Sequence, residues 1–145
     1  MHPRNLLAVA THSIPADTAL LLLRIVAGIG FMMHGWGKIQ APFSWMGPNA
    51  SMPGFMQALA AISEFGGGLA WALGLLTPLA CLGIIGTMAV ALHTHIVVLG
   101  DPFVSPTGGR SFEPAALYCS IAIVLLLVGP GRLSADRFIF GKRSK

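Results

Sequence analysis

Apolar residues form four long runs along this chain, and short segments rich in proline, glycine and polar residues separate them. A helix needs about 20 mainly apolar residues to cross the hydrocarbon core of a bilayer. The runs meet or approach that length at about residues 17–38, 55–76, 79–99 and 113–130. The pattern therefore predicts an all-α fold, an integral membrane four-helix bundle, with residues 1–145 forming a single domain.

The connections between the predicted helices differ in length and polarity. Thr77 and Pro78 leave almost no residues between the second and third helices, so these two are expected to form a tight antiparallel hairpin. Residues 39–54 carry no charge and are expected to lie on the membrane surface or to dip into it. Residues 100–111 form a polar, turn-rich loop.

The composition indicates that lipid is the solvent of this protein. Charged residues make up 10% of the chain and hydrophobic residues 54%, whereas a soluble domain carries about 25% charge. Cys81 and Cys119 stand singly in apolar runs, so neither a disulfide framework nor a metal site is expected. The first run contains Arg24 and no small-residue cleavage site, which favours a retained helix over a signal peptide.

The distribution of basic residues predicts an orientation in the membrane. Five of the nine basic residues lie in the tail, residues 131–145: Arg132, Arg137, Lys142, Arg143 and Lys145. Arg4 precedes the first helix, and the long loops offer Arg110. Because cytoplasmic segments carry the excess of Lys and Arg, both termini are predicted to be cytoplasmic in a multi-pass inner-membrane protein. No basic stripe is interleaved with aromatics, so nucleic acid is not an expected partner.

Ionisable residues inside the predicted helices concentrate toward the outer leaflet, where the two long loops lie. They are His34 and Lys38 in the first helix, Glu64 in the second, His93 and His95 in the third, and Glu113 at the start of the fourth. Arg24 is the exception, because it lies ~20 Å below Lys38 along the first helix. A charge at the bilayer centre costs between about 2.5 and well over 10 kcal/mol, so Arg24 and Glu64 are expected to pair directly or through His34 and water.

Helical periodicity places these charges on faces that pack against other helices. Arg24 and Lys38 share a narrow arc with Gly28 and Gly35, and small residues let membrane helices approach one another. His93 and His95 lie on different faces, and the small residues near His93 slightly favour it as the inward one, although both stay candidates. A buried polar network of this kind serves either function or the register of the helices.

Several motifs resemble those of the DoxX family of small bacterial inner-membrane proteins. They are LLLRIVAGIGFMMHGWGKI at 21–39, SEFGGGLAWALGLLTPLA at 63–80, FEPAALY at 112–118 and VGPGRLSADRFI at 128–139. The resemblance extends from residue 20 to residue 141. It implies a likeness to subunits of thiosulfate:quinone oxidoreductase or to partners in redox and thiol-stress complexes. It also implies functional roles for Arg24, His34, Lys38, Glu64, Glu113 and either His93 or His95.

The first functional hypothesis is a quinone-linked oxidoreductase subunit that acts on a small substrate, with a sulfur compound as one candidate. His34, Glu64 and Arg24 are the predicted catalytic residues, and Lys38, His93, His95 and Glu113 are predicted to bind the quinone or substrate. The sequence has no flavin, haem or CxxC motif, so a four-helix bundle cannot carry electrons itself unless substrate and quinone react directly within it. A partner subunit or a homo-oligomer is expected. The alternatives are a non-catalytic membrane scaffold and, third, a proton-coupled carrier of small solutes.

Overall fold

A computed structural model of the chain describes residues 7–142. The regular elements of this range are helices, and the remaining pairing is one isolated β-bridge between Val9 and Lys142. The elements are α1 (Ile14–Gln40), α2 (Gly54–Ala61), the π-helical turn π1 (Ile62–Gly66), α3 (Gly67–Leu73), α4 (Thr77–His93), the π-helical turn π2 (Thr94–Val98), α5 (Glu113–Val128) and α6 (Ala135–Phe140). The prediction of an all-α fold is confirmed.

Two helical runs are long and apolar enough to cross a membrane, namely Ile14–Gln40 and Thr77–Val98, and Glu113–Val128 is a shorter apolar helix. The helices begin and end within three residues of the predicted ranges. Arg4, Arg143 and Lys145, which support the predicted orientation, lie outside the described residues.

Segments α2, π1 and α3 follow one another without a break, and a π-helical turn interrupts the α-helical repeat in their middle. Such a turn adds one residue per turn locally and is frequent at functional sites. It shifts the helical phase of every side chain that follows it. Glu64 lies inside π1, and His95 lies inside π2. The two π turns therefore bear two of the ionisable residues that the sequence singles out.

Helix α1 runs antiparallel to α3 at very close range because glycines meet at their contact. A Cβ atom on Gly28 would lie 2.6 Å from the carbonyl oxygen of Gly68, and one on Gly68 would lie 2.7 Å from that of Gly28. Gly67 faces Ile84 of α4, where an added Cβ would lie 3.0 Å away. Small residues are what membrane helices use to pack backbone against backbone. The glycines Gly67 and Gly68 of α3 thus allow close packing against α4 on one side and α1 on the other.

A hydrophobic core fills the space between α1, α3, α4 and α5. Phe31 stacks on Trp71 with ring centroids 5.9 Å apart, and Trp71 Nε1 donates to Cys81 Sγ at 3.3 Å. Ile84 and Leu125 are fully buried beside them. This core separates two polar regions. We refer to the region around Lys38, π1, π2 and the start of α5 as the loop end, and to that around the start of α1, the end of α5 and α6 as the tail end.

Candidate functional site

An ion pair between α1 and π1 is the centre of the loop end. Lys38 Nζ lies 2.5 Å from Glu64 Oε1, although the two residues are 26 positions apart in the chain. The Glu64 side chain is 5% exposed and that of Lys38 is 27% exposed. The ammonium also lies 4.6 Å from the centroid of the Trp45 ring, within cation–π range. Lys38 is therefore held by one carboxylate oxygen and one aromatic face.

The second carboxylate oxygen of Glu64 is buried without a hydrogen-bond partner among the described residues. The neighbouring Ser63 Oγ is in the same condition. A buried charged oxygen without a donor is costly, because its hydration is lost and nothing replaces it. Glu64 can thus accept a hydrogen bond from a ligand that enters beside it.

A first cavity of about 620 Å³ borders the ion pair on the side of α2, π1, α4 and π2. Its polar lining comes from Lys38, Trp45, Ser63, Glu64, Thr87, Thr94 and His95. Most other lining side chains are apolar: Met46, Met52, Met56, Leu59, Leu82 and Val90. Met56, Leu59, Leu82 and Val90 are also exposed on the outer surface of the helices. The cavity therefore joins a polar inner wall to the apolar surface that a bilayer would cover.

A second cavity of about 350 Å³ borders the same ion pair on the side of α5. Its polar lining is made of His34, Lys38, Glu64, His95, Arg110, Ser111 and Tyr118. Lys38, Glu64 and His95 line both cavities. The second cavity is the more polar of the two, and the exposed loop residue Arg110 lies at its edge. Three ionisable side chains thus line both a cavity with an apolar outer edge and a more polar one.

The structure separates His93 from His95. His95 lines both cavities, and its Nδ1 lies 2.7 Å from Asp101 Oδ2, whereas His93 is exposed and lines none of the three described cavities. The slight preference for His93 from the small residues below it is wrong. Buried Met88 shows that the opposite face of α4 packs inward, and His95, seven positions after Met88, lies on that same side at the ordinary helical period.

His34 lines the second cavity together with the ion pair, whereas Glu113 lines a cavity that neither Lys38 nor Glu64 reaches. A third cavity of about 440 Å³ is lined by His34, Glu113 and Tyr118 among others. The His34 ring meets Tyr118 edge-on with centroids 5.6 Å apart. His34 therefore lines the second and third cavities. Of the three described cavities, Glu113 lines only the third.

Gln57 is a site-building residue that the sequence interpretation missed. Its side chain is buried, its Oε1 accepts from Met46 N at 3.0 Å, and its Nε2 donates to Met52 O at 2.9 Å. Trp45 Nε1 donates to the Gln57 carbonyl at 2.9 Å. These bonds hold the uncharged loop after α1 against α2, with Trp45 under Lys38. A lone amide in an apolar membrane helix was the available signal, since such groups need partners.

Arg24 lies at the tail end, and the expected pairing with Glu64 is wrong. Its side chain is fully buried, and it donates from Nη1 to Pro130 O at 2.8 Å and from Nη2 to Leu133 O at 2.7 Å. The chain turns back after α5 and lays these carbonyls against α1. The sequence interpretation treated the residues after Pro130 as a tail outside the bundle, so it offered Arg24 no partner there.

Two carboxylates complete the tail end, and both are bound by the chain itself. Asp17 pairs with Arg132 through the guanidinium and also accepts from the backbone N of Arg132 at 2.9 Å. Asp136 accepts from the backbone N of Leu76 at 2.6 Å and of Thr77 at 2.8 Å, which caps the start of α4. Arg24 Nε lacks a partner among the described residues, but no described cavity reaches it.

Within residues 7–142, no group of three or more His, Cys, Asp and Glu side chains is arranged to hold a metal ion. The polar groups that line the two cavities are an ammonium, a guanidinium, imidazoles, hydroxyls, an indole N–H and one carboxylate, which suit an organic ligand with hydrogen-bonding groups.

Comparisons with known proteins identify the family. The DoxX family model matches residues 19–98. The chain is 33% identical to "Inner membrane protein YqjF" of Escherichia coli strain K12 over 126 residues, which covers 85% of this chain and 93% of the relative. It is 34% identical to "Putative oxidoreductase CatD" of Bacillus subtilis strain 168 over 132 residues, covering 88% of this chain and 92% of that one. No solved structure gives a significant match.

The chain therefore belongs to the DoxX family and is a membrane protein, which confirms the resemblance drawn from its motifs.

Proposed function

We propose that this chain is the quinone-binding subunit of a plasma-membrane oxidoreductase that acts on a small reduced substrate. The observation that carries the proposal is the position of Lys38, Glu64 and His95. They line both a cavity that meets the lipid-facing surface and a polar cavity at the loop end, and one Glu64 oxygen has no partner within residues 7–142.

The proposed topology is a four-helix bundle that crosses the membrane four times, with both termini in the cytoplasm. The four spans are α1, the continuous segment 54–73, α4 with π2, and α5. The basic residues Arg132 and Arg137 lie in the C-terminal segment at the tail end. The excess of basic residues assigns this end to the cytoplasm. The loop end then faces outward, and a polar substrate reaches the second cavity from outside.

The first cavity has the chemistry that a quinone requires. A quinone has a polar head with two carbonyl oxygens and an apolar tail that prefers lipid. The Lys38 ammonium supplies a donor for a carbonyl oxygen, and the methionines and leucines at the outer edge suit the tail. A volume of about 620 Å³ lies in the usual range of small-molecule sites. A quinone can therefore enter sideways from the bilayer without crossing the polar loops.

The second cavity suits a small polar substrate, because Lys38 and Arg110 give it positive charge and Tyr118 and Ser111 give it hydroxyls. Charged donors in a dry site favour anionic groups more strongly than in water. A partner subunit or a second copy of the chain completes the enzyme in this proposal. The word oxidoreductase in the name of the Bacillus subtilis relative supports a redox role for this chain.

Filling the first cavity tests the quinone site without altering any charged group. Gly86 lines this cavity, and a Cβ there meets nothing within 4 Å, so Gly86→Phe is expected to fit and to occupy the space. Gly37 also has open space but lines none of the described cavities, which makes Gly37→Phe the matched control. Binding of decylubiquinone to detergent-solubilised protein is measured by quenching of tryptophan fluorescence.

Gly86→Phe is expected to weaken decylubiquinone binding by about 10-fold or more, since the ligand loses its apolar contacts. Gly37→Phe should bind as the wild type does. Equal affinities in all three proteins, at equal melting temperatures, would contradict the quinone site and favour the scaffold alternative.

A further inference from the structure

We infer that Asp101 is a positioning residue for His95, and that the His95 imidazole carries protons between the second cavity and the ligand of the first. The inference rests on the proposed quinone site and deepens it. It names a residue in the loop after π2 that no motif of the sequence indicates, and it gives the histidine at the boundary of the two cavities a defined task.

The pairing of these two side chains is short and sheltered. Asp101 Oδ2 lies 2.7 Å from His95 Nδ1, and the Asp101 side chain is 9% exposed. The second carboxylate oxygen lies 3.5 Å from Arg110 Nε, whose side chain is 67% exposed. The carboxylate thus contacts a cavity histidine on one side and a surface cation on the other.

The backbone closes this turn without help from the carboxylate. Asp101 N donates to the carbonyl of His95 at 2.8 Å, and Leu99 N donates to that of Thr94 at 2.9 Å. These bonds satisfy two of the carbonyl groups in the last turn of the helix, where carbonyls lack partners within the helix. Because the main chain already closes the loop, the bond between the Asp101 and His95 side chains serves to orient the imidazole ring.

A carboxylate bound to Nδ1 also selects the tautomer. A carboxylate accepts only, so Nδ1 carries the proton, and Nε2 on the opposite edge of the ring is left for the cavities. Neutral His95 then accepts a proton at Nε2, and the imidazolium donates one from the same atom. Such second partners are what hold a catalytic imidazole in its working tautomer.

The proton balance of the proposed reaction gives this histidine a role. A quinone that becomes a quinol gains two electrons and two protons. In the second cavity a dithiol, as the two-electron and two-proton donor, breaks its two S–H bonds and forms one S–S bond, and the two electrons that it loses pass to the quinone. Each proton moves to Nε2 of His95 and then forms an O–H bond on a quinone oxygen. The other ionisable groups facing this route are His34 and Lys38 of α1, Glu64 of π1, Arg110 of the loop and Tyr118 of α5.

The first test is spectroscopic and needs no turnover. Protein labelled with ¹⁵N histidine is compared with the His95→Gln variant to assign the His95 signals. Neutral His95 is expected to carry its proton on Nδ1 in the wild type. In Asp101→Leu the proton should move to Nε2, the commoner tautomer of a free imidazole. A wild-type His95 with its proton on Nε2 would overturn the inference, whatever the quinone assay shows.

The second test is kinetic. Membranes reduce decylubiquinone with dithiothreitol as the two-electron, two-proton donor, and the rate in membranes without the protein is subtracted. His95→Gln is expected to lower kcat by about 100-fold, in the range of general acid–base catalysis. Asp101→Asn should lower kcat by about 10-fold at an unchanged KM for decylubiquinone, and Asp101→Glu should recover part of the loss. His93→Gln, two positions away and exposed, is the matched control and should behave as wild type.

The outcomes distinguish this inference from the proposed function. Wild-type turnover together with a normal kcat in Asp101→Asn would overturn the role of Asp101 and leave the quinone site standing. A wild type without turnover would overturn the proposed function and, with it, the proton route.

Discussion

The two ends of this molecule both bury charged side chains, but they satisfy them differently. At the tail end Arg24 and Asp136 bond to backbone groups of distant segments, and no described cavity reaches them. At the loop end Lys38 and Glu64 bond to each other, and the other Glu64 oxygen, beside two cavities, has no partner in the described part of the chain. Burial of charge alone therefore does not indicate a site.

The difference lies in what the partners are. Backbone carbonyls and amides are fixed by the fold, so a charged side chain bound to them holds two segments together. Its hydrogen-bonding groups are then not available to a ligand. A side-chain pair with a free acceptor atom can exchange partners when a ligand arrives. The tail end is thus a structural clamp on the C-terminal segment, and the loop end is where chemistry is proposed.

The largest effect is expected from removing the cation of the clamp. Arg24→Leu leaves the carbonyls of Pro130 and Leu133 without donors in a buried place, at a cost of roughly 3 kcal/mol or more. We expect the variant to be scarce in membranes and to melt at a markedly lower temperature in detergent. Arg110→Leu at the exposed loop is the control for stability. If Arg24→Leu equals the wild type in abundance and melting temperature, the structural role of the tail end is contradicted.

A somewhat smaller effect, on activity and not on the fold, is expected at Glu64. Glu64→Gln keeps the size of the side chain but removes the charge and one acceptor, so the rate of decylubiquinone reduction should fall by about 100-fold. The melting temperature should stay much closer to that of the wild type than that of Arg24→Leu does. Glu113→Gln, which alters a cavity away from the ion pair, should change the rate far less. A Glu64→Gln protein missing from the membrane would make the loop end structural as well.

The smallest effect is expected at the partly exposed partner of Asp17. Arg132→Gln removes the guanidinium but keeps the backbone bond from residue 132, and the side chain is 43% exposed, so about 1 kcal/mol of stability should be lost. Thermal unfolding in detergent measures the loss, and decylubiquinone affinity should not change. A weaker quinone affinity in this variant would show that the two ends are coupled.

The helices could be predicted from the sequence because their signals are local. Runs of apolar residues, the stop at Thr77 and Pro78, Pro114 in a first turn, and the glycines at 129 and 131 predict where helices begin and end. Periodicity also predicted that Lys38, Glu64 and the glycines face other helices, and the Gly28–Gly68 contact agrees with it. The family followed from the motifs, and the comparisons confirm it.

The partner of each charge could not be predicted, since it depends on segments far apart in the chain. Arg24 finds its acceptors more than 100 residues later, where the chain folds back after Pro130. Periodicity places His93 and His95 on different faces, but which face packs inward depends on the neighbouring helices, and the burial of Met88 shows that it is the face of His95. No sequence pattern distinguishes Asp101 from other loop residues, because its contact with His95 depends on how the loop turns.

The sequence by itself thus determined the solvent of this protein, the extent of its helices and the set of polar residues that must be buried. These depend on the transfer of side chains into lipid, which is a property of each segment alone. Only the tertiary structure decided which buried charges are bound by the backbone and which face cavities. That division depends on three-dimensional packing. The C-terminal segment places its carbonyl groups against Arg24, whereas Glu64 pairs with Lys38 beside two cavities.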